Sequence, residues 1–129
     1  MDRKNLTDKY SIGKMGEDLA AEFYENAGYF ILARNWRWSN KGEIDIIAYN
    51  KEMNVIAICE VKTRKINTFV RACVAVNAAK QKKLRMLAKV FFSSNKAYLK
   101  ADVRFDVAEV SFDCTKCSAS EINLIENAF

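Results

Sequence analysis

A chain of 129 residues can bury one core but not two, and with half its residues hydrophobic and 12% aromatic it is composed to pack rather than stay disordered. Residues 1–14 are polar and charged, with no apolar segment of the secretory kind, and no apolar run approaches the roughly 20 residues of a membrane span. The net charge of +5 is unevenly placed: Lys62 to Arg104 holds twelve Lys or Arg against the single acid Asp102, so this segment carries +11 and the remainder −6. The first two features predict a cytoplasmic protein with no membrane partner. The third suits a polyanion on one side and carboxylate chemistry on the other, although a solvated basic helix gives the same count.

In chain order, Ile12, Met15, Leu19, Phe23 and Ala27 recur at helical spacing from Lys9 to Ala27, and Gly28 stands where a helix ends. Tyr29 to Trp36 reads as a first strand. Glu43 to Tyr49 and Val55 to Thr63, rich in Ile and Val, read as two more, joined by the polar hairpin-length run 50–54. Asn77 is a fair N-cap for a second helix running through Phe92, with Leu84, Leu87, Ala88 and Phe91 as its buried stripe. Val103 to Val110 alternates as a fourth strand and Glu121 to Ile125 supplies a fifth. The class is α/β, a mixed β-sheet flanked by helices in a single domain over residues 1–129, with residues 1–8 flexible.

Strand periodicity puts Glu60 and Lys62 on one face with Ile56 and Ile58. Pairing Tyr49 with Val55 sets Asp45 opposite Cys59, beside the Glu60–Lys62 end of the hairpin and away from its turn. Two carboxylates and a lysine at one point suit a Mg²⁺ or Mn²⁺ site for phosphodiester cleavage, since Asp and Glu are hard oxygen ligands and the chain has no histidine. A salt-bridge cluster at a sheet edge satisfies the same spacing. Glu17 borders a small-residue helix face (Gly13, Ala20, Tyr24) and is either a third metal ligand or a glutamate favoured near a helix start. Lys80 lies on the core side of the second helix with Gln81 at its edge, and is placed to point into the site rather than snorkel. Trp36 and Trp38, among Arg34, Arg37 and Lys41, suit stacking on unpaired bases; one core and one exposed tryptophan is the plain alternative. Arg37, Trp38, Arg64, Lys65, Lys80, Gln81 and Lys82 are the residues expected to meet nucleic acid. Cys114 and Cys117 have the spacing of half a zinc site, with Cys59 and Cys73 the only other thiols to complete it.

Several segments together resemble the small uncharacterised bacterial YraN-type proteins. They are Gly16-Glu17, Gly28-Tyr29 with Ile31-Leu32, Asn35 with Arg37, Gly42-Glu43-Ile44-Asp45-Ile46-Ile47-Ala48, Glu60-Val61-Lys62-Thr63-Arg64, Arg104-Phe105-Asp106-Val107 and the ending Asn127-Ala128-Phe129. That family is similar in fold to archaeal Holliday junction resolvases, in the PD-(D/E)XK nuclease superfamily, which implies a restriction-endonuclease-like core. The resemblance implies Asp45, Glu60 and Glu17 as metal ligands, a backbone carbonyl at Val61 completing the shell, and Asp45, Glu60 and Lys62 as catalytic residues. It implies a divalent-metal-dependent endonuclease acting on branched or distorted DNA, and a homodimer, because two opposed strands must be cut. A nucleic-acid-binding module that keeps the nuclease fold without hydrolysis is the alternative. The chain departs from the pattern at Ile44, where the superfamily's namesake proline stands, and at Val70, where a glycine is expected.

Overall fold

A computed structural model describes residues 9–65, 76–113, 116 and 118–129. It contains helix α1 (Lys9–Asn26), strands β1 (Phe30–Arg37), β2 (Glu43–Asn50) and β3 (Val55–Lys65), helix α2 (Ala78–Ser94), a 3₁₀ turn (Lys96–Tyr98), and strands β4 (Asp102–Asp113) and β5 (Ser118–Ile125). The five strands form one sheet in chain order. Neighbours are antiparallel except β3 and β4, which run parallel over Val55↔Asp102 to Lys65↔Phe112. A parallel pair needs a long crossover, and α2 lies within it. The result is the expected α/β arrangement, a mixed sheet with a helix on each face.

The two faces have different chemistry. On the α2 side Ile44, Ile47, Ile56, Ile58 and Val107 pack with Leu84, Leu87, Ala88 and Phe91, so the second helix buries the stripe its sequence predicts. Asn77 is its N-cap, accepting from the Lys80 N–H at 2.9 Å. On the α1 side the sheet offers Ile46, Ala48, Ala57, Cys59 and Ala108 to Ala20, Ala21 and Tyr24.

Here the expected stripe is corrected. The buried face of α1 runs through Ile12, Gly16, Ala20, Ala21 and Tyr24, while Phe23 stays 38% exposed and Ala27 is exposed. Small residues win because α1 lies too close to β3 for large ones: a Cβ added to Gly16 would overlap the Thr63 hydroxyl.

The β2–β3 register also differs from the expected one by a residue. Asn50, not Tyr49, pairs with Val55, so Ile46 rather than Asp45 stands opposite Cys59. Asn50 joins the strand because its side-chain oxygen accepts from the Met53 N–H at 2.9 Å and closes the turn below it.

A polar network centred on β4 ties α1 and the C-terminal residues to the sheet. Asp106, fully buried, accepts from the Tyr24 hydroxyl at 2.7 Å and from Arg104 through Nε and a terminal nitrogen at 2.8 and 2.9 Å. It also accepts from the Asn127 N–H at 3.0 Å, which anchors the chain end, where Phe129 stacks on Phe105.

Candidate metal and nucleic-acid site

The ladder between β2 and β3 stops at Ile46↔Cys59, and the strands part beyond it. At that fork Asp45, only 9% exposed, turns its carboxylate onto β3 and accepts a hydrogen bond from the Val61 N–H at 2.8 Å. A side chain thus satisfies a backbone donor that the strand ladder does not reach.

Two more carboxylates meet Asp45 there. Glu17 comes from α1, brought down onto the sheet by the Gly16–Thr63 contact, and is held by the Asn35 side-chain amide at 2.9 Å. Asn35 adopts a positive φ of 50°, a conformation asparagine tolerates better than most residues. Glu43 precedes Asp45 by two residues and accepts from Arg37 Nε at 2.8 Å. Oxygen atoms of Glu17, Glu43 and Asp45 lie within 4.8 Å of one another. Glu43 and Asn35 were not singled out from the sequence for roles, although both stand in the segments that carry the resemblance; Glu43's strand spacing from Asp45 was the available signal.

Glu60 lies on the α2 side of β3, only 5% exposed. Its Oε1 is 3.5 Å from both the Lys62 and the Lys80 ammonium groups, and its buried Oε2 has no hydrogen-bond partner among the described residues. Lys80 thus reaches the Glu60 carboxylate from the first turn of α2. The Asp45 carboxyl is pushed up to about 7, first by burial, then by repulsion from Glu60 and, more weakly, from Glu17 and Glu43, against the Val61 hydrogen bond that lowers it.

The other expected contacts are spread more widely. Arg37 and Lys80 line an open groove of about 600 Å³ with Ser39, Asn40, Gly42, Glu43, Ala79 and Lys83, between the β1–β2 turn and α2. Trp38 is 43% exposed in that turn, whereas Trp36 packs edge-on against Phe91 with ring centroids 5.7 Å apart. Arg64 is half-buried with no partner for its Nε among the described residues, Lys82 is exposed, and Gln81 spends its amide on the Val76 carbonyl at 3.0 Å. The Lys65 side chain, Val70, and Cys73, Cys114 and Cys117 lie outside the described residues. Cys59 is a free, fully buried thiol whose pKa burial raises well above the usual range, which leaves it poorly suited to binding metal.

The profile of an uncharacterised protein family, UPF0102, matches residues 16–110, the span from Gly16 through the site to β4. The chain belongs to that family. UPF0102 proteins similar to it include one from Alkaliphilus metalliredigens, 40% identical across 92% of this chain and 97% of the relative. Others come from Caldicellulosiruptor saccharolyticus, 43% identical across 94% and 98%, and Clostridium botulinum, 42% identical across 92% and 93%. The UPF0102 match fits the YraN-type resemblance read from the sequence. Among the described residues, no helix of this UPF0102 chain is long and apolar enough to cross a membrane.

Proposed function

We propose that this chain is a divalent-metal-dependent endonuclease-like protein acting on DNA, with branched or distorted structures as its substrates. The observation that carries the reading is the meeting of Glu17, Glu43 and Asp45 oxygens within 4.8 Å at the β2–β3 fork, next to the buried Glu60 and two lysines.

The residues suit Mg²⁺ or Mn²⁺. All the donors are carboxylate oxygens, Glu60 keeps a buried oxygen without a partner among the described residues, and the repulsion that holds a proton on Asp45 is relieved by a cation. Asp45 and Glu17 would hold the ion, with Glu43 or Glu60 completing the protein's share. A bound divalent ion supplies acidification of a water and neutralisation of phosphate charge. The chain's own part is to fix these carboxylates from three elements, to hold Asp45 in place through Val61, and to set the Lys62 ammonium where charge builds on the phosphate. Lys80 and Arg37 carry the positive potential from the site into the groove, where DNA would approach. A cytoplasmic location and a symmetric homodimer with two such sites belong to the same reading.

The test is to incubate the purified full-length protein with Mg²⁺ or Mn²⁺ and labelled junction, flap and linear DNA. Cleavage that disappears in Asp45→Asn and Lys62→Ala is the expected result; no cleavage, or cleavage unchanged by both substitutions, would end the enzymatic claim.

One observation favours a second reading, a DNA-binding module that does not cut. Lys62 and Lys80 both close on Glu60 Oε1, which balances that carboxylate without a metal. On this reading DNA affinity falls steeply with salt, as phosphate neutralisation requires, and no product forms with either ion.

A further inference from the structure

The groove beside the carboxylates has features that a metal site alone does not need. Among the described residues its cations are Arg37, Lys80 and Lys83, against the single acid Glu43. Lys80 is engaged with Glu60 and Arg37 with Glu43, but no carboxylate pairs with Lys83 among the described residues. The Lys83 stem lies across the β1–β2 turn at Gly42, where an added Cβ would come within 2.9 Å of its Cδ and where φ is +130°. Glycine at this point lets a lysine from α2 and the turn share one wall. Ser39 also sits at a positive φ of 54° in the same turn, a strained shape for a non-glycine residue. Between the groove-lining Arg37 and Ser39 stands Trp38, 43% exposed on the same turn but outside the groove's own lining, where a base leaving the groove would meet it.

We propose that this groove seats an unpaired strand of DNA beside the reacting phosphodiester, with Lys83 and Arg37 on a phosphate and the Trp38 indole against a base. The proposal rests on the nucleic-acid reading above and adds the substrate class: a strand whose bases are unpaired next to the site. Size agrees with it, because an open groove of about 600 Å³ has the volume of a small-ligand pocket, room for about one or two nucleotides. Charge argues for it through Lys83, whose ammonium pairs with no carboxylate among the described residues, next to Arg37, which shares its charge with Glu43 at the groove wall, and Lys80, which faces Glu60. The exposed indole argues for it because base stacking on an aromatic ring tolerates any sequence but requires an unpaired base. Position argues for it as well, since Glu43 belongs both to the groove wall and to the carboxylate cluster, so a strand in the groove lies next to the cluster.

The experiment measures binding of a fluorescein-labelled oligodeoxythymidylate of about eight nucleotides, within the range one small single-strand-binding fold covers, to the full-length protein in EDTA. A blunt duplex of the same length is the comparison. The single strand should bind at least about fivefold more tightly than the duplex, and Trp38→Ala should weaken it about tenfold, with Trp38→Phe recovering most of the loss. Lys83→Gln should lower the slope of log affinity against log salt by about one, the signature of one lost phosphate contact. Both side chains are exposed, so unchanged thermal midpoints separate these effects from unfolding. Equal affinity for the duplex, or variants that bind the oligonucleotide with wild-type affinity and salt slope, would overturn the groove assignment. Because no divalent ion is present, a failure of DNA cleavage leaves this result untouched. A wild-type protein that binds no DNA of either kind would bring down the nucleic-acid reading and this proposal with it.

Discussion

The Asp45 carboxylate accepts a hydrogen bond from the Val61 N–H, sixteen residues away, at 2.8 Å. That contact is made where β2 and β3 separate, so the same aspartate both ends a strand ladder and faces Glu17, Glu43 and Glu60. Its two duties conflict in the absence of a cation. The hydrogen bond favours the charged form, whereas burial and three acidic neighbours favour the neutral one and prevail.

Asp45→Asn should therefore stabilise the metal-free protein. The folded carboxyl keeps its proton up to about 7, while an unfolded aspartate releases it near 3.8. Stability is thus unaffected at low pH and is lost as pH rises from about 4 to about 7. An asparagine carbonyl still accepts from Val61 but carries no charge, so at pH 8 in EDTA the gain is on the order of 2–4 kcal/mol, for a residue 9% exposed. Chemical denaturation at pH 5 and pH 8 checks it: the variant's advantage should grow with pH, and an advantage that shrinks would contradict the account.

Divalent-ion binding should carry the opposite pH dependence. An ion held by Asp45 must displace its proton, so apparent affinity should rise about tenfold per pH unit up to about 7 and level off above it. Calorimetric titration with Mn²⁺ at several pH values measures this. Affinity that does not change between pH 5.5 and 7 would mean that Asp45 is not a ligand.

Much of this arrangement was legible in the sequence, and the exceptions have physical causes. Leu84, Leu87, Ala88 and Phe91 declared the buried face of α2 because large apolar residues at helical spacing have nowhere else to go. The same logic misplaced the face of α1, since Met15, Leu19 and Phe23 outweigh Gly16 and Ala20 in any hydrophobic count. Close approach to Thr63 decides that face, and periodicity does not encode it. Strand register failed by one residue at Asn50, whose side chain closes the turn. For the candidate site, spacing singled out Asp45, Glu60, Lys62, Lys80 and, from its helix face, Glu17, without deciding between a metal site and an ion-pair cluster; the structure sets Glu60 beside both lysines and Asp45 beside Glu17. Glu43 and Asn35 were not singled out, because their relevance depends on the fork between β2 and β3 and on a positive-φ residue in β1.

Gly16→Ala tests the contact that brings Glu17 to the sheet. The added methyl would meet the Thr63 hydroxyl, and overpacking of this kind costs about 1–3 kcal/mol. Thr63→Ala in the same chain should restore part of the loss in thermal midpoint. Additive destabilisation in the double variant would show that the two positions do not press on one another.

Asp106→Ala should be among the most damaging single changes in the described region. It removes the buried carboxylate from Arg104, whose side chain is 16% exposed and keeps the Tyr29 hydroxyl and the exposed Glu126, takes the acceptor from the buried Tyr24 hydroxyl, and releases the Asn127 N–H. Breaking a buried pair from one side costs about 3–5 kcal/mol. Denaturant unfolding measures the loss, and a cost below about 1 kcal/mol would contradict the network's structural role.

The most direct test of the account is a crystal structure of the full-length protein grown with Mn²⁺ near pH 8 and read by anomalous scattering. The account predicts a peak at the β2–β3 fork, bound by Asp45 together with carboxylate oxygens from Glu17 and Glu43 or Glu60. An empty fork, with Glu60 still closed on Lys62 and Lys80, would contradict it.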